Sequence, residues 1–354
     1  MNLVCCRLDS LSINKSDMKK LLLFFVGLAG LFSCQSGKNS VERVSNLEYE
    51  TIVDTIVSRV PGSIFYHDGF VYWHDAMSPT RFVRVVNASD GHELNGFGNV
   101  GNGPDEFTYP LLSLSPNGGF YLNDGNKPLE QLYRLDRSSD SLHVSKSVYN
   151  LIPRTTRMLH MADDTRFYLC PGEEKMFLTV HKGKEYRNGV CPVHENVSNR
   201  YDIVQGNVSY NSVNGKLVYS AMRLPYLAVY DWTADGWQLD KELKSSFDYT
   251  ESDGEIKLSA QSSGAMELAL TKDYIVLLQR DKEVEGEPSA PKYPRDMSVL
   301  PHSLFVYDYG LGLTKIINMP FALLRLCGDE NSNKVYAIAA NPDFSLIQID
   351  LSEL

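Results

Sequence analysis

From residue 47 onward the apolar positions come in short alternating or unbroken runs, each bounded by Gly, Asn, Asp or Pro. Almost nowhere do they follow the three-to-four-residue spacing of an amphipathic helix. Such a pattern predicts strands throughout. Six turns, centred on Gly69, Gly118, Thr165, Gly215, Asp273 and Asn333, lie 49, 47, 50, 58 and 60 residues apart. Each leads into a similar strand: Phe70-Val-Tyr-Trp, Phe120-Tyr-Leu, Phe167-Tyr-Leu, Leu217-Val-Tyr, Tyr274-Ile-Val-Leu-Leu and Val335-Tyr-Ala-Ile. A second strand follows and ends on Asn87, Asp136, His181, Asp231, Asp308 and Asp350, which lie 18, 18, 16, 16, 35 and 17 residues after the turns. The one outlier carries a charged, proline-rich insert at 281–301.

A fixed period of about fifty residues identifies a repeat architecture. Six units of about four antiparallel strands predict an all-β chain, a six-bladed β-propeller, because a lone four-stranded sheet cannot bury both faces whereas radial stacking buries each against its neighbours. The last repeat stops four residues after Asp350, too soon for an outermost strand. Residues 49–57 (Tyr-Glu-Thr-Ile-Val-Asp-Thr-Ile-Val) supply one, closing the ring with an N-terminal strand in the last blade. The Gly-His and Trp-Asp marks of WD40 repeats are missing, and a β-sandwich needs no such period.

The N-terminus follows a different logic. Met18-Lys19-Lys20 precedes an unbroken apolar run of 12 residues, Leu21 to Phe32, and then Ser33-Cys34. Twelve residues are too few for the ~20 of a spanning helix, and the run has the form of a secretory signal peptide. Leu31-Phe-Ser-Cys34 resembles the lipobox of bacterial lipoproteins, in which the cysteine is acylated and becomes the mature N-terminus. The expected division is a signal peptide at 1–33 with Met18 as its true start, a lipidated tether at 34–46 and the propeller at 47–354. The expected location is the cell envelope, as a periplasmic or outer-membrane lipoprotein.

Removing residues 1–33, which hold four basic and two acidic side chains, takes the formal charge from −10 to −12. So acidic a body, without a basic cluster, argues against nucleic acid and against electrostatic adhesion to anionic lipid, leaving the lipid on Cys34 as the membrane contact. Of the remaining cysteines, Cys170 and Cys191 allow a disulfide in the periplasm, but their apolar contexts suit buried free thiols equally, as does that of Cys327.

The segment Gly98-Asn-Val-Gly-Asn-Gly-Pro-Asp-Glu-Phe107 resembles the Gly-x-Gly-Pro-x-Glu-Phe signature after the first blade of the six-bladed, TolB-like β-propeller lipoproteins of Bacteroidetes-type bacteria. Val229-Tyr-Asp-Trp-Thr-Ala-Asp-Gly236 is similar to that family's blade phrase, one shared with NHL-type propellers. Pro104-Asp105-Glu106 departs from the usual Pro-Gly-Glu. The resemblance implies the architecture and a structural role for Gly101, Gly103, Pro104, Glu106 and Phe107. It implies no particular chemistry, because members of the family mostly have no established activity.

Gly96-Phe-Gly-Asn-Val-Gly101 matches Gly-x-Gly-x-x-Gly, yet it ends a strand and enters Asn-Gly-Pro rather than a helix, so it reads as a glycine-rich crossover and not a nucleotide site. The eight histidines are scattered, and His74-Asp75 and His194-Glu195 read first as solvent-facing or capping groups. No nucleophile elbow and no His-x-His pair appears, and nothing in the pattern calls for a cofactor or resident metal.

Propeller connectivity is more informative. With strands A to D running outward, the B–C loops and the D–A crossovers share one face, and this face receives 101–107, 194–207, 245–262 and the insert. Asp75, Asp105, Glu106, Asp124, Arg223, Arg280 and Arg295 are the polar candidates at its mouth. The reading favours a non-catalytic binding or scaffold lipoprotein that engages an envelope protein or a small extracytoplasmic ligand. The alternative is a metal-assisted lyase or hydrolase of NHL-like type with its site at the central channel.

Overall fold

The computed structural model describes residues 41–354 apart from 46, 116, 137–140, 148–151, 153–154, 195, 246–248, 259–263, 288, 293–295 and 354. Cys34, most of the expected tether and Arg295 therefore lie outside the described residues. Two N-terminal strands, β1 (Glu42–Ser45) and β2 (Tyr49–Ile56), precede six blades. Blade 1 is β3 (Ile64–His67), β4 (Phe70–His74), β5 (Arg81–Asn87) and β6 (Glu93–Asn99). Blade 2 is β7 (Pro110–Leu114), β8 (Phe120–Asp124), β9 (Glu130–Asp136) and β10 (Ser141–Ser147). Blade 3 is β11 (Arg157–Ala162), β12 (Thr165–Leu169), β13 (Phe177–His181) and β14 (Lys184–Asn188).

Blade 4 comprises β15 (Gly206–Asn211), β16 (Lys216–Ala221), β17 (Tyr226–Thr233) and β18 (Gly236–Lys244). A separate hairpin, β19 (Tyr249–Ser252) and β20 (Glu255–Leu258), lies in the crossover to blade 5. Blade 5 is β21 (Glu267–Leu270), β22 (Tyr274–Leu278), β23 (Ser303–Asp308) and β24 (Leu313–Asn318), and blade 6 is β25 (Ala322–Gly328), β26 (Lys334–Ala340) and β27 (Phe344–Asp350). Every blade is an antiparallel meander in chain order. The six-bladed propeller read from the repeat is the fold observed.

Closure also follows the sequence. β2 pairs antiparallel with β27, Tyr49 opposite Ile349, as the fourth strand of blade 6. Residues 42–45, inside the stretch expected to be tether, are instead strand: β1 lies parallel to β24 as a fifth strand of blade 5. Val44 packs on the core between blades 5 and 6, and Arg43 bonds Asp281 at 2.8 Å and Glu283 at 2.7 Å, which fixes the edge strand to the insert.

Why the strands carry unbroken apolar runs is now plain. In β22, Ile275 and Leu277 enter the core shared with blade 4, while Val276 and Leu278 enter the core shared with blade 6. Both faces of a blade are covered, so period-2 alternation gives way to continuous hydrophobicity. Six apolar clusters occupy the six seams, from Phe97 and Phe120 between blades 1 and 2 to Leu346, Ile338 and Val71 between blades 6 and 1.

The seam between blades 2 and 3 has the smallest apolar cluster, with Met158, Tyr168, Cys170 and Leu178 buried. Glu130 of β9 completes it. Its carboxylate accepts from Asn123 Nδ2 at 2.8 Å, Ser147 Oγ at 2.6 Å and Arg166 Nη2 at 2.8 Å, and lies 3.3 Å from His160 Nε2. His160 stacks on Tyr121 with ring centroids 3.7 Å apart. Burial alone would raise the Glu130 pKa, but the hydrogen bonds from His160, Ser147 and Asn123 and the charge of Arg166 outweigh it and hold it at about 2. Cys170, Cys191 and Cys327 stand as free thiols in this structure, Cys170 and Cys327 of them buried.

Glu130→Ala is expected to lower the unfolding free energy by about 3–5 kcal/mol, the usual result of stripping one partner from a buried charged network. A depressed carboxyl pKa stabilises fully above the unfolded value of 4.5 and is lost as pH falls toward 2. Urea titrations between those limits should show this acid slope in the wild type and a shallower one in the variant; identical slopes would refute the assignment.

Candidate functional site

The Gly-Pro crossover that suggested a family is a self-contained loop. Gly101 and Gly103 approach the Glu106 side chain, whose Oε2 accepts the Gly103 N–H at 2.8 Å, and a Cβ at Gly101 would collide with that carboxylate. Phe107 is fully buried among Phe97, Phe120 and Tyr133, and its N–H donates to the Asn99 carbonyl at 2.8 Å. Lys127 Nζ donates to the carbonyls of Glu106 (2.6 Å) and Gly103 (3.3 Å). Asp124 is buried and accepts the N–H groups of Thr108 (2.6 Å), Asn126 (2.7 Å) and Lys127 (3.1 Å), tying this crossover to the B–C turn of blade 2. No helix begins here, and Gly98 at φ 76° and Gly101 at φ 155° occupy the conformations that the crossover reading anticipates.

The other candidates are dispersed. Asp105 is exposed and pairs with Lys146 at 2.6 Å. Asp75 is buried behind β4 and accepts the Ser58 hydroxyl at 3.2 Å. Arg223 is exposed on the B–C turn of blade 4. Arg280 bonds the Val299 carbonyl at 2.6 Å and Glu285 at 3.3 Å, inside the insert. There Glu285, its side chain fully buried, accepts from the N–H groups of Asp281 and His302 and from the Ser303 hydroxyl. The insert is thus stapled to blade 5, with a short helix α2 (Lys282–Glu285) after α1 (Arg200–Ile203) of the blade 3–4 crossover. Hydrogen bonds bring Asp124 beside Glu106 through Lys127, but the described candidates do not converge on one point, and none of these lines the central cavity.

That cavity has a volume of about 470 Å³ and is lined by the inner strands of all six blades. At the end where those strands begin, on the face of the crossovers, polar side chains from five blades converge. Arg325 of β25 donates to Glu267 of β21 at 2.8 Å. Arg157, first residue of β11, reaches Asn207 Oδ1 of β15 at 3.4 Å, and Asn207 Nδ2 is itself held by the carbonyls of Met266 (3.0 Å) and Ala265 (3.3 Å). His74, last residue of β4, completes the group; its Nε2 is buried without a hydrogen-bond partner, as is Arg325 Nε.

Burial with the nearby Arg325 charge drives the His74 pKa down to about 4, against the pull of Asp75. Burial raises the Glu267 carboxyl, with Arg325 and Arg157 opposing. Perturbed groups gathered at the mouth of a cleft are the physical mark of a functional site. Among the described residues no three His, Cys, Asp or Glu side chains meet in a metal-binding group.

Sequence reasoning passed over Arg157, Asn207, Glu267 and Arg325 and set His74 aside. The signal was present: Arg157, Asn207 and Arg325 each stand eight residues before the turns at Thr165, Gly215 and Asn333. The loop-bearing face was read correctly from connectivity. The β19–β20 hairpin packs on α1, with Asn199 exchanging hydrogen bonds of 2.9 and 3.0 Å with the Ile256 backbone and Ser198 N–H donating to the Gly254 carbonyl at 2.8 Å. Exposed apolar side chains, Val57, Met77, Tyr109, Tyr201, Met222 and Val284 among them, also gather on these loops.

No protein-family model and no curated protein matches the chain. Among solved structures it is similar to a member of the DUF4221 family from Bacteroides vulgatus, at 13% identity over 86% of this chain and 97% of that one, with a TM-score of 0.51. Regucalcin from Agrobacterium tumefaciens, a calcium-binding protein, aligns at 9% identity over 87% and 95% with a TM-score of 0.47. The Swd1 β-propeller domain from Myceliophteria thermophila aligns at 10% over 85% and 99% with a TM-score of 0.45. At these identities the likeness is one of fold.

Two outcomes follow for stability. Gly101→Ala should cost several kcal/mol because Glu106 must be displaced, whereas Gly215→Ala, at φ 74° with nothing near its Cβ, should cost only the ~1–3 kcal/mol of left-handed backbone; equal losses in chemical denaturation would refute the loop assignment. His74 binds its proton less readily folded than unfolded, so it should destabilise the protein as pH falls from 6.5 toward 4. Thermal melts of His74→Gln should lack that component, and a variant as acid-sensitive as the wild type would contradict it.

Proposed function

We propose that this protein is a lipid-anchored extracytoplasmic propeller that binds a small ligand at the channel mouth on its crossover face, without catalysing a reaction. The observation that carries the reading is the convergence of His74, Arg157, Asn207 and Glu267 from four blades on one end of a 470 Å³ cavity, with Arg325 of a fifth blade bonded to Glu267. A cavity in the ~300–1,000 Å³ range with a few convergent polar groups over an apolar lining is the ordinary form of a small-molecule site. A binding role is favoured because the strongest charged contact, Arg325 to Glu267, holds the site's own residues in place.

Anchoring rests on the signal segment and Cys34, and the acidic body gives lipid headgroups no other hold. In cells, Cys34→Ala should move the protein from the membrane fraction to the soluble fraction and abolish incorporation of labelled palmitate; unchanged fractionation would refute the anchor. For the site, Leu112→Trp fills the cavity from β7. A small molecule that raises the wild-type melting temperature should leave this variant unmoved, and one that stabilises both equally would place binding elsewhere.

A further inference from the structure

Resting on that reading of the site, we infer that the channel mouth recognises the carboxylate of a small monocarboxylic acid through Arg157, with the acid's apolar body directed down the channel. Four observations carry this. The hydrogen-bonded part of the cluster sets two guanidinium groups, Arg157 and Arg325, against the single carboxylate of Glu267, with Asp75 a further acid beside His74. Arg325 is engaged at 2.8 Å by Glu267, whereas among the described residues Arg157 makes the longer, 3.4 Å contact to Asn207. That contact orients the guanidinium from one corner and leaves its remaining fork of donors for a bidentate carboxylate.

Below the mouth, the half-buried Phe65, Tyr66, Leu111, Leu112, Leu159 and Tyr210 contribute apolar surface, beside Ser113 and Ser209, to a wall that can take a hydrocarbon or aromatic body. The far end of the same cavity is acidic, with Asp68, Asp329 and Glu330 on the A–B turns, some five residues or ~17 Å along the strands. A monocarboxylate is repelled from that end and drawn to Arg157, which fixes its orientation. A primary amine would have the opposite preference.

Calorimetric titration of the full mature protein with hexanoate, hexanol and hexylamine tests the assignment. Wild-type protein should bind hexanoate at least tenfold more tightly than hexanol and hexylamine most weakly. Arg157→Gln should bring hexanoate to the level of hexanol while hexanol itself is unchanged, and Arg157→Lys, retaining the charge without the fork, should fall between. Should Arg157→Gln fail to fold, the wild-type series and the lysine variant still decide the matter. Hexanol equal to hexanoate, binding lost with Leu112→Trp in both cases, would overturn carboxylate recognition and leave the small-ligand site standing. A preference for hexylamine would overturn it too. No saturable binding of any of the three would overturn the inference together with the reading on which it rests.

Discussion

The constraint on which everything else depends is that each blade is apolar on both faces. Ile275 and Leu277 look one way from β22 and Val276 and Leu278 the other, and neither set finds cover within its own sheet. At ~25 cal/mol per Å² of buried apolar surface, one uncovered blade face would cost more than the whole net stability of an ordinary domain. The ring must therefore close. β2 does this by hydrogen-bonding to β27, so strands from the two ends of the sequence stand side by side in blade 6. The channel is a by-product of that closure, and its mouth is where six inner strands begin side by side.

The seam between blades 2 and 3 shows how the constraint can be met with polar groups. Glu130 satisfies four neighbours at once, and its own burial is tolerable only because of them. A network of this kind accepts one register, since slipping β9 by a residue would point the carboxylate away from Arg166 and His160. Where the other seams rely on volume, this one relies on matching donors to an acceptor.

The two levels of structure were not equally legible in the sequence. Blade number, the turn positions, the insert and the closing strand were all visible, because a repeated core leaves the same apolar imprint six times. Asp124 and Glu106 looked like ligand-facing acids, yet their oxygens are occupied by backbone donors two or three residues or one strand away, a use that only the folded turn reveals. Arg157, Glu267 and Arg325 are separated by more than fifty residues at each step and meet through closure of the ring alone. The common place of Arg157, Asn207 and Arg325 in the repeat was a signal, but the search for candidates followed the loops rather than the inner strands.

Local geometry, not overall charge, governs what such a mouth attracts. The sequence carries a formal charge of −10, which by itself would repel an anion. Surface charges farther than the ~8 Å screening length at physiological salt contribute little, whereas guanidinium groups at the end of a narrow protein-walled channel act through a medium of lower dielectric. Net acidity and a locally cationic site are therefore compatible. On the proposed reading their combination discriminates: a cation drawn to the acidic surface meets the Arg157 guanidinium at the mouth, and an anion that reaches it meets the same donors.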